Sequence, residues 1–525
     1  MYFLLILIIS APDCAEFDVW AMRSIEARHD YLDSLDDADH TGTIARLSEA
    51  LDCPSEQTKM FAAEALGYLG DPIAVPALIG ALEGSSVNAA YEAAWALGLL
   101  GDTSAVDPLI EALSGTYTPV RSHAAWALGE LKDSRATPWL MKVIDDPDRR
   151  IRENVVEALG KLDAEDAVPV LLERLPSLEG SERSVTLIAL ARIAHPSVLD
   201  AILEATGDRT LSQRYILVEA LGRIGDTSAV PALIGLLSDY TWEVRSRAAW
   251  SLGRLDDERA VPALLSRAAD SKPEVRHAVF EAFARLNAVQ AEAALIAALS
   301  DDEDICVMQA ARTLGVLGSK KAVEPLIKLM SDPEPPVREQ VAFALGAIGD
   351  TAAIPALRSR MNDAAWEVQD EAVTAVGNMR DVGSLNALHH SLNHTFWGLR
   401  LVGVQALGSI ADPSSVSRAE ARFSDEHPDV RRWAFLVALK LGADPKTTLS
   451  GLKKENPTDE VNQIANALAG KKFFKGDWTG NLTVERLLLL KLLHNDVAKA
   501  QISSLTVPVD ETKLEELKLI TLRQW

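Results

Sequence analysis

Few residues of this chain are spaced as a reaction would need them. His389, His390 and His394 cluster, and His390 and His394 stand four apart, where two imidazoles share a helix face as metal ligands do. No third ligand type recurs near them, so the expectation is a set of surface histidines on one hairpin, with no metal site. The three cysteines, Cys14, Cys53 and Cys306, are too few for four thiolate ligands, and as an odd, sparse set they predict no disulfide framework. There is no phosphate-cradling glycine loop, no G-x-S-x-G and no Cys–His pair in a recognisable context. Asn393-His394-Thr395 and Asn481-Leu482-Thr483 match glycosylation sequons, which carry meaning only in an exported protein. The reading is of a chain without catalytic residues or cofactor, and it favours binding over catalysis.

Two side-chain rows could carry that binding. Trp95, Trp126 and Trp250 form one, and Lys161, Arg192, Arg223, Arg254 and Arg285 form the other. The second row stands out because 52 Lys plus Arg oppose 76 Asp plus Glu, for a net charge of −24. Such a balance argues against nucleic acid as a partner, as does an aromatic content of 6%. Exposed tryptophan and arginine are enriched where proteins meet. Both rows also have a structural reading. Glu157–Lys161, Glu219–Arg223 and Glu281–Arg285 are i,i+4 pairs that support their own helices by about 0.2–0.5 kcal/mol each, and Trp250–Arg254 could form an internal cation–π contact. Trp242, Trp366 and Trp397 share a different place, with Pro273, Pro335 and Pro428, which predicts packing at helix starts.

The elements that position these rows repeat. Glycines ending Ala-Leu-Gly and its variants fall at 67, 98, 129, 160, 222, 253, 315, 346, 377 and 408, all on a step of 31. Ala191 and Ala284 fill missing points, and the series continues through Leu439 to Gly470. A chain of 525 residues exceeds one core, and a fixed period resolves this as a tandem array. In residues 227–257, Pro231 opens one apolar segment, as proline does in a first helical turn. Val244, Ala248, Leu252 and Leu255 then recur at helical spacing. Gly225-Asp226, like Gly70-Asp71, Gly101-Asp102 and Gly349-Asp350, can end one unit and cap the next. Each unit is therefore a helical hairpin that buries its faces only by stacking. A glycine inside a helix costs about 1 kcal/mol relative to alanine. Its recurrence points to close approach of neighbouring helices.

The pattern A-V-P-x-L, then D-x-x-x-x-V-R-x-x-A-x-x-x-L-G-x-L, resembles the HEAT-like repeat of phycobilisome lyases over residues 41–470. The resemblance implies an all-α fold, an α-solenoid superhelix of about 13–14 tandem 31-residue hairpins. It also implies an Asp–Arg ladder between adjacent repeats, built from Asp146, Arg152, Asp208, Arg214, Asp239, Arg245, Asp270, Arg276, Asp332, Arg338, Asp425 and Arg431. HEAT-repeat deoxyhypusine hydroxylases bind iron through His-Glu dipeptides, and this sequence has none. Repeats of this type serve scaffolds and enzymes alike.

The functional expectation is a scaffold that binds another protein or protein complex, with an acidic contact, along the inner helical surface. The alternative is a subunit similar to bilin (tetrapyrrole) lyases, acting on a client protein. Residues 1–40 are expected to form an apolar segment and an acidic capping helix, 41–470 the solenoid, and 471–525 a helical cap. Residues 2–9 are apolar but too short to span a bilayer, which predicts a cytoplasmic chain. Export or membrane tethering through those residues is the alternative.

Overall fold

The computed structural model describes residues 37–443 together with Cys14; the predicted cap at 471–525 lies outside them, as does most of 1–40. Among the described residues every α-helix belongs to one of thirteen hairpins, and no strand occurs. The fold is an α-solenoid. It divides into two compact units, Met1–Leu286 and Asn287–Trp525. Eight hairpins belong to the first and five to the second. No helix among the described residues is long and apolar enough to cross a membrane.

Local chemistry sets each hairpin. The chain leaves a second helix through a left-handed residue, for example Gly70 (φ 73°), Gly101 (φ 71°), Gly225 (φ 80°) and Gly349 (φ 69°), where glycine meets no steric penalty. The aspartate that follows caps a short 3₁₀ turn. Asp226 accepts the Ser228 N–H at 2.8 Å, and Asp71, Asp102 and Asp350 do the same two residues on. The first helix then begins with proline in its first turn, as in Val230–Leu236 with Pro231. Small residues and leucines of the second helix, such as Ala248, Ala249 and Leu252, are buried between hairpins.

The lattice glycines lie where consecutive second helices touch. A Cβ on Gly160 would stand 2.7 Å from the Ala189 Cα, and one on Gly129 would stand 2.8 Å from that of Ala158. Gly253 meets Ala282 and Gly315 meets Ala344 in the same way. Glycine in one helix thus faces a small residue two places before the glycine of the next. Gly408 departs from this rule, since the residue that it faces is Val437.

The turns are braced by arginine. Arg245 places Nη2 2.8 Å from the Asp270 carboxylate, and its Nη1 donates to the Asp239 carbonyl at 2.9 Å. One guanidinium therefore ties its own turn to the acid of the following repeat. Arg214–Asp239 (2.7 Å), Arg400–Asp425 (2.8 Å), Arg121–Asp146 (3.3 Å) and Arg183–Asp208 (3.6 Å) follow the same plan. Arg276 and Arg431 bond the carbonyls of Asp270 and Asp425. Arg338 bonds the Asp332 carbonyl and pairs with Asp363 at 2.6 Å, an acid one repeat beyond Asp332 that belongs to the ladder. Arg152 bonds the Asp146 carbonyl but reaches Glu182 at 2.7 Å, because Ser177 fills the acid position of that repeat. Gln369 replaces an arginine and keeps only the turn contact, to the Asp363 carbonyl; His394 stands where its acid would be.

These pairs are strongly polarised. Burial pushes the carboxyls of Asp239, Asp270, Asp363 and Asp425 upward, but their hydrogen bonds and the arginines outweigh it and hold all four below the usual range. Arg245, Arg338 and Arg400 are raised by hydrogen bonds to their partner carboxylates.

One expectation fails. Cys14 and Cys53 form a disulfide, with their Cα atoms 5.7 Å apart, although three scattered cysteines predicted no such bond. Sequence separation hides the pairing, since the partners are 39 residues apart and only the fold brings them together. Cys306 is buried and takes no part in the disulfide.

Candidate functional site

The predicted basic row lies on second helices of the first unit, one residue after each lattice glycine or its substitute. Helix geometry puts these positions on the flank of the buried stripe, so the side chains emerge between neighbouring hairpins. The five do not share one environment. Lys161 Nζ sits 2.5 Å from Glu130 and 2.9 Å from Glu157, with its side chain 17% exposed. Burial lowers its pKa, but the bonds to both carboxylates carry it above the ordinary value. Arg192 lies 3.8 Å from the same Glu157. Lys161 is neutralised by its two acids, and Arg192 is half-buried beside Glu157.

Arg223, Arg254 and Arg285 differ, because all three are exposed. Arg223 Nη1 donates to the Arg192 carbonyl at 2.7 Å, and Arg254 Nε donates to the Gly222 carbonyl at 3.3 Å. The Arg254 guanidinium also lies 5.0 Å over the Trp250 ring. Carbonyls and rings orient a guanidinium without cancelling its charge. Arg285 pairs with Glu281 at 3.0 Å on its own helix. The expected Glu219–Arg223 pair is not the one formed by Glu219, which bonds Arg247 at 3.3 Å.

The tryptophans are half-buried. Trp95 lies 3.5 Å from where a Gly67 Cβ would be, and Trp126 lies 2.7 Å from the same point on Gly98. Both rings therefore cover the lattice glycine of the preceding repeat, which makes them part of the stacking. Trp250 instead supports Arg254. Trp242, Trp366 and Trp397 each open a second helix. In the second unit, Trp366, Phe396, Trp397 and His427 form a continuous row of ring contacts, ending in a 3.8 Å stack of Trp397 on His427.

The second unit presents a different face. In place of the basic row it carries Val316, Ala347, Asn378 and Ser409, and a basic residue returns only at Lys440, whose pKa burial lowers. Three carboxyls on two neighbouring second helices are raised instead. Burial, with repulsion from Glu339, pushes Asp370 up to about 6. Glu371 rises to about 7 through burial and the charges of Asp370 and Glu339, opposed by Arg312. Glu339 is raised by burial and Glu367. The sequence carried a signal for this that went unread: Glu339 and Asp370 are 31 residues apart, each next to a ladder position.

The histidines keep to turn chemistry. His394 Nδ1 accepts the Phe396 N–H at 3.0 Å, and His390 and His394 meet ring to ring at 5.8 Å. Among the described residues no group of three or more His, Cys, Asp or Glu is placed to hold a metal ion.

Stacked helical hairpins with a glycine seam and Arg–Asp braces define a repeat protein. The model of the HEAT repeats matches residues 44–119, 106–186, 211–284, 233–308, 292–367 and 355–440, and the chain belongs to the HEAT-repeat family. No curated protein matches its sequence. Among solved structures, it is similar to the complex of CpcE and CpcF of phycocyanin lyase from Nostoc sp. PCC7120. That match has 23% identity and a TM-score of 0.31, covering 43% of this chain and 94% of the other. An engineered protein is 20% identical with a TM-score of 0.35, over 70% of this chain and 98% of the other. Human deoxyhypusine hydroxylase in complex with glycerol is 25% identical with a TM-score of 0.23, over 53% and 97%.

Proposed function

We propose that this chain is a protein-binding scaffold whose first unit offers the second-helix row as a contact for an acidic partner surface. The observation that carries the reading is the exposure of Arg223, Arg254 and Arg285 on three successive repeats of a chain whose net charge is −24. Hydrogen bonds to carbonyls hold two of the three in place before any partner arrives, and such preorganisation lowers the entropic cost of association. Lys161 and Arg192, with Trp95 and Trp126, frame this contact and do not make it. Trp250 belongs to it through Arg254.

The test is a charge reversal, Arg223→Glu, Arg254→Glu and Arg285→Glu together, with binding to the captured partner measured beside a thermal melt. Binding should fall at least tenfold while the melt stays within a few degrees. Unchanged binding would return the row to helix support. The alternative of a subunit similar to bilin lyases draws on the repeat resemblance alone. Incubation with a bilin should leave the pigment's absorbance unchanged, and a shifted band would replace the scaffold reading.

A further inference from the structure

The disulfide sits at the first described hairpin. Cys53 occupies the turn between the first two described helices, Asp37–Ala50 and Glu56–Leu69, and is 2% exposed. Its N–H is bonded to the Ala50 carbonyl and Ser55 caps the helix that follows, so the turn is rigid. Cys14 lies ahead of every repeat and is covalently fixed to that turn. Disulfides of this kind persist in oxidising compartments and are rare where thiols are kept reduced.

We infer that this chain matures in an oxidising compartment and that the Cys14–Cys53 bond, by locking Cys14 to the turn between the first two described helices, braces that hairpin. Formation follows ordinary exchange with a disulfide-bearing oxidant. One cysteine, as thiolate, attacks the oxidant and forms a mixed disulfide. The other, as thiolate, displaces the oxidant's sulfur. Two protons and two electrons leave the chain, and the oxidant departs as a dithiol. Burial of Cys53 withholds its sulfur from reducing thiols, while Cys14 is half-buried. Cys306 takes no part, being a buried core residue of the second unit. The inference concerns the cellular compartment and the first described hairpin, and it is independent of the arginine row.

The test counts thiols on the full chain isolated from its own cells, alkylated under denaturing conditions and weighed by intact-mass spectrometry. One alkyl group is expected without reductant, on Cys306, and three after reduction. Three before reduction would overturn the inference. A Cys14→Ser variant, which leaves the buried Cys53 side chain in place, supplies a second reading by amide hydrogen exchange. Exchange within residues 37–53 should rise at least tenfold while residues 118–285 keep their protection. Unaltered exchange in residues 37–53 would overturn the lock even if the thiol count stood.

Discussion

The two units solve one packing problem and present different faces. In both, a glycine lets consecutive second helices approach until backbone meets backbone, as at Gly160–Ala189 and Gly315–Ala344. In both, arginine ties its own turn to the acid of the next repeat, as at Arg214–Asp239 and Arg338–Asp363. One residue after the glycine the likeness ends. The first unit has five consecutive basic residues, Lys161 through Arg285, and the second has Val316, Ala347, Asn378 and Ser409 before a single Lys440. The second unit instead has three half-buried carboxyls, Glu339, Asp370 and Glu371, raised by burial and by neighbouring acidic charges. Framework positions are thus shared across the array, and positions beside them are free to differ. Where the units differ is where a specific partner can be recognised.

The largest effects should come from the shared framework and be equal in the two units. Arg214→Ala and Arg338→Ala each leave a buried aspartate without its main partner, which costs about 3–5 kcal/mol. Chemical denaturation should report similar losses for both; a loss in one unit alone would break the equivalence. Adding a methyl at the seam comes next. Gly160→Ala sets a Cβ 2.7 Å from a backbone carbon and should cost about 1–3 kcal/mol, as overpacking does. Gly235→Ala, in the helix Val230–Leu236 with nothing within 4 Å, should stabilise by about 0.5–1 kcal/mol. Opposite signs in paired thermal melts are the expected outcome, and destabilisation by both would contradict the steric account.

A third effect separates the units by pH. Asp370 and Glu371 titrate near about 6 and about 7 in the fold, above the ordinary carboxylate range of about 4. Folding therefore gains from them fully below pH ~4, and the gain is lost as pH rises through those folded values. The ladder aspartates are depressed, so their contribution is present above the ordinary range and is lost as pH falls. Asp370→Asn with Glu371→Gln should raise the melting temperature at pH 8 and raise it much less at pH 5. An equal rise at both would mean that charge repulsion is not what the substitutions relieve.

Much of the framework was legible because repetition writes each structural need many times. Gly225-Asp226, Pro231 and Gly253 each recur on the lattice, and each has one local cause that the fold confirms. Residues used once were not legible. The Cys14–Cys53 bond depends on where the chain ahead of the array returns, and no period marks that. Asp363 lay on the lattice yet stood apart from the acids first assigned to it. Which basic residues remain exposed could not be read from spacing either. Lys161 and Arg223 occupy equivalent positions, but Glu130 and Glu157 cover only the former. Neighbours in space, and not the period, decide which charges face outward.

The most direct test of the scaffold account compares capture from native lysate by the wild-type chain and by the Arg223→Glu, Arg254→Glu, Arg285→Glu variant, with identical melts required of both. The account predicts a defined protein partner, acidic at its contact, that the wild type retains and the variant loses. Retention of the same partner by both chains would contradict it.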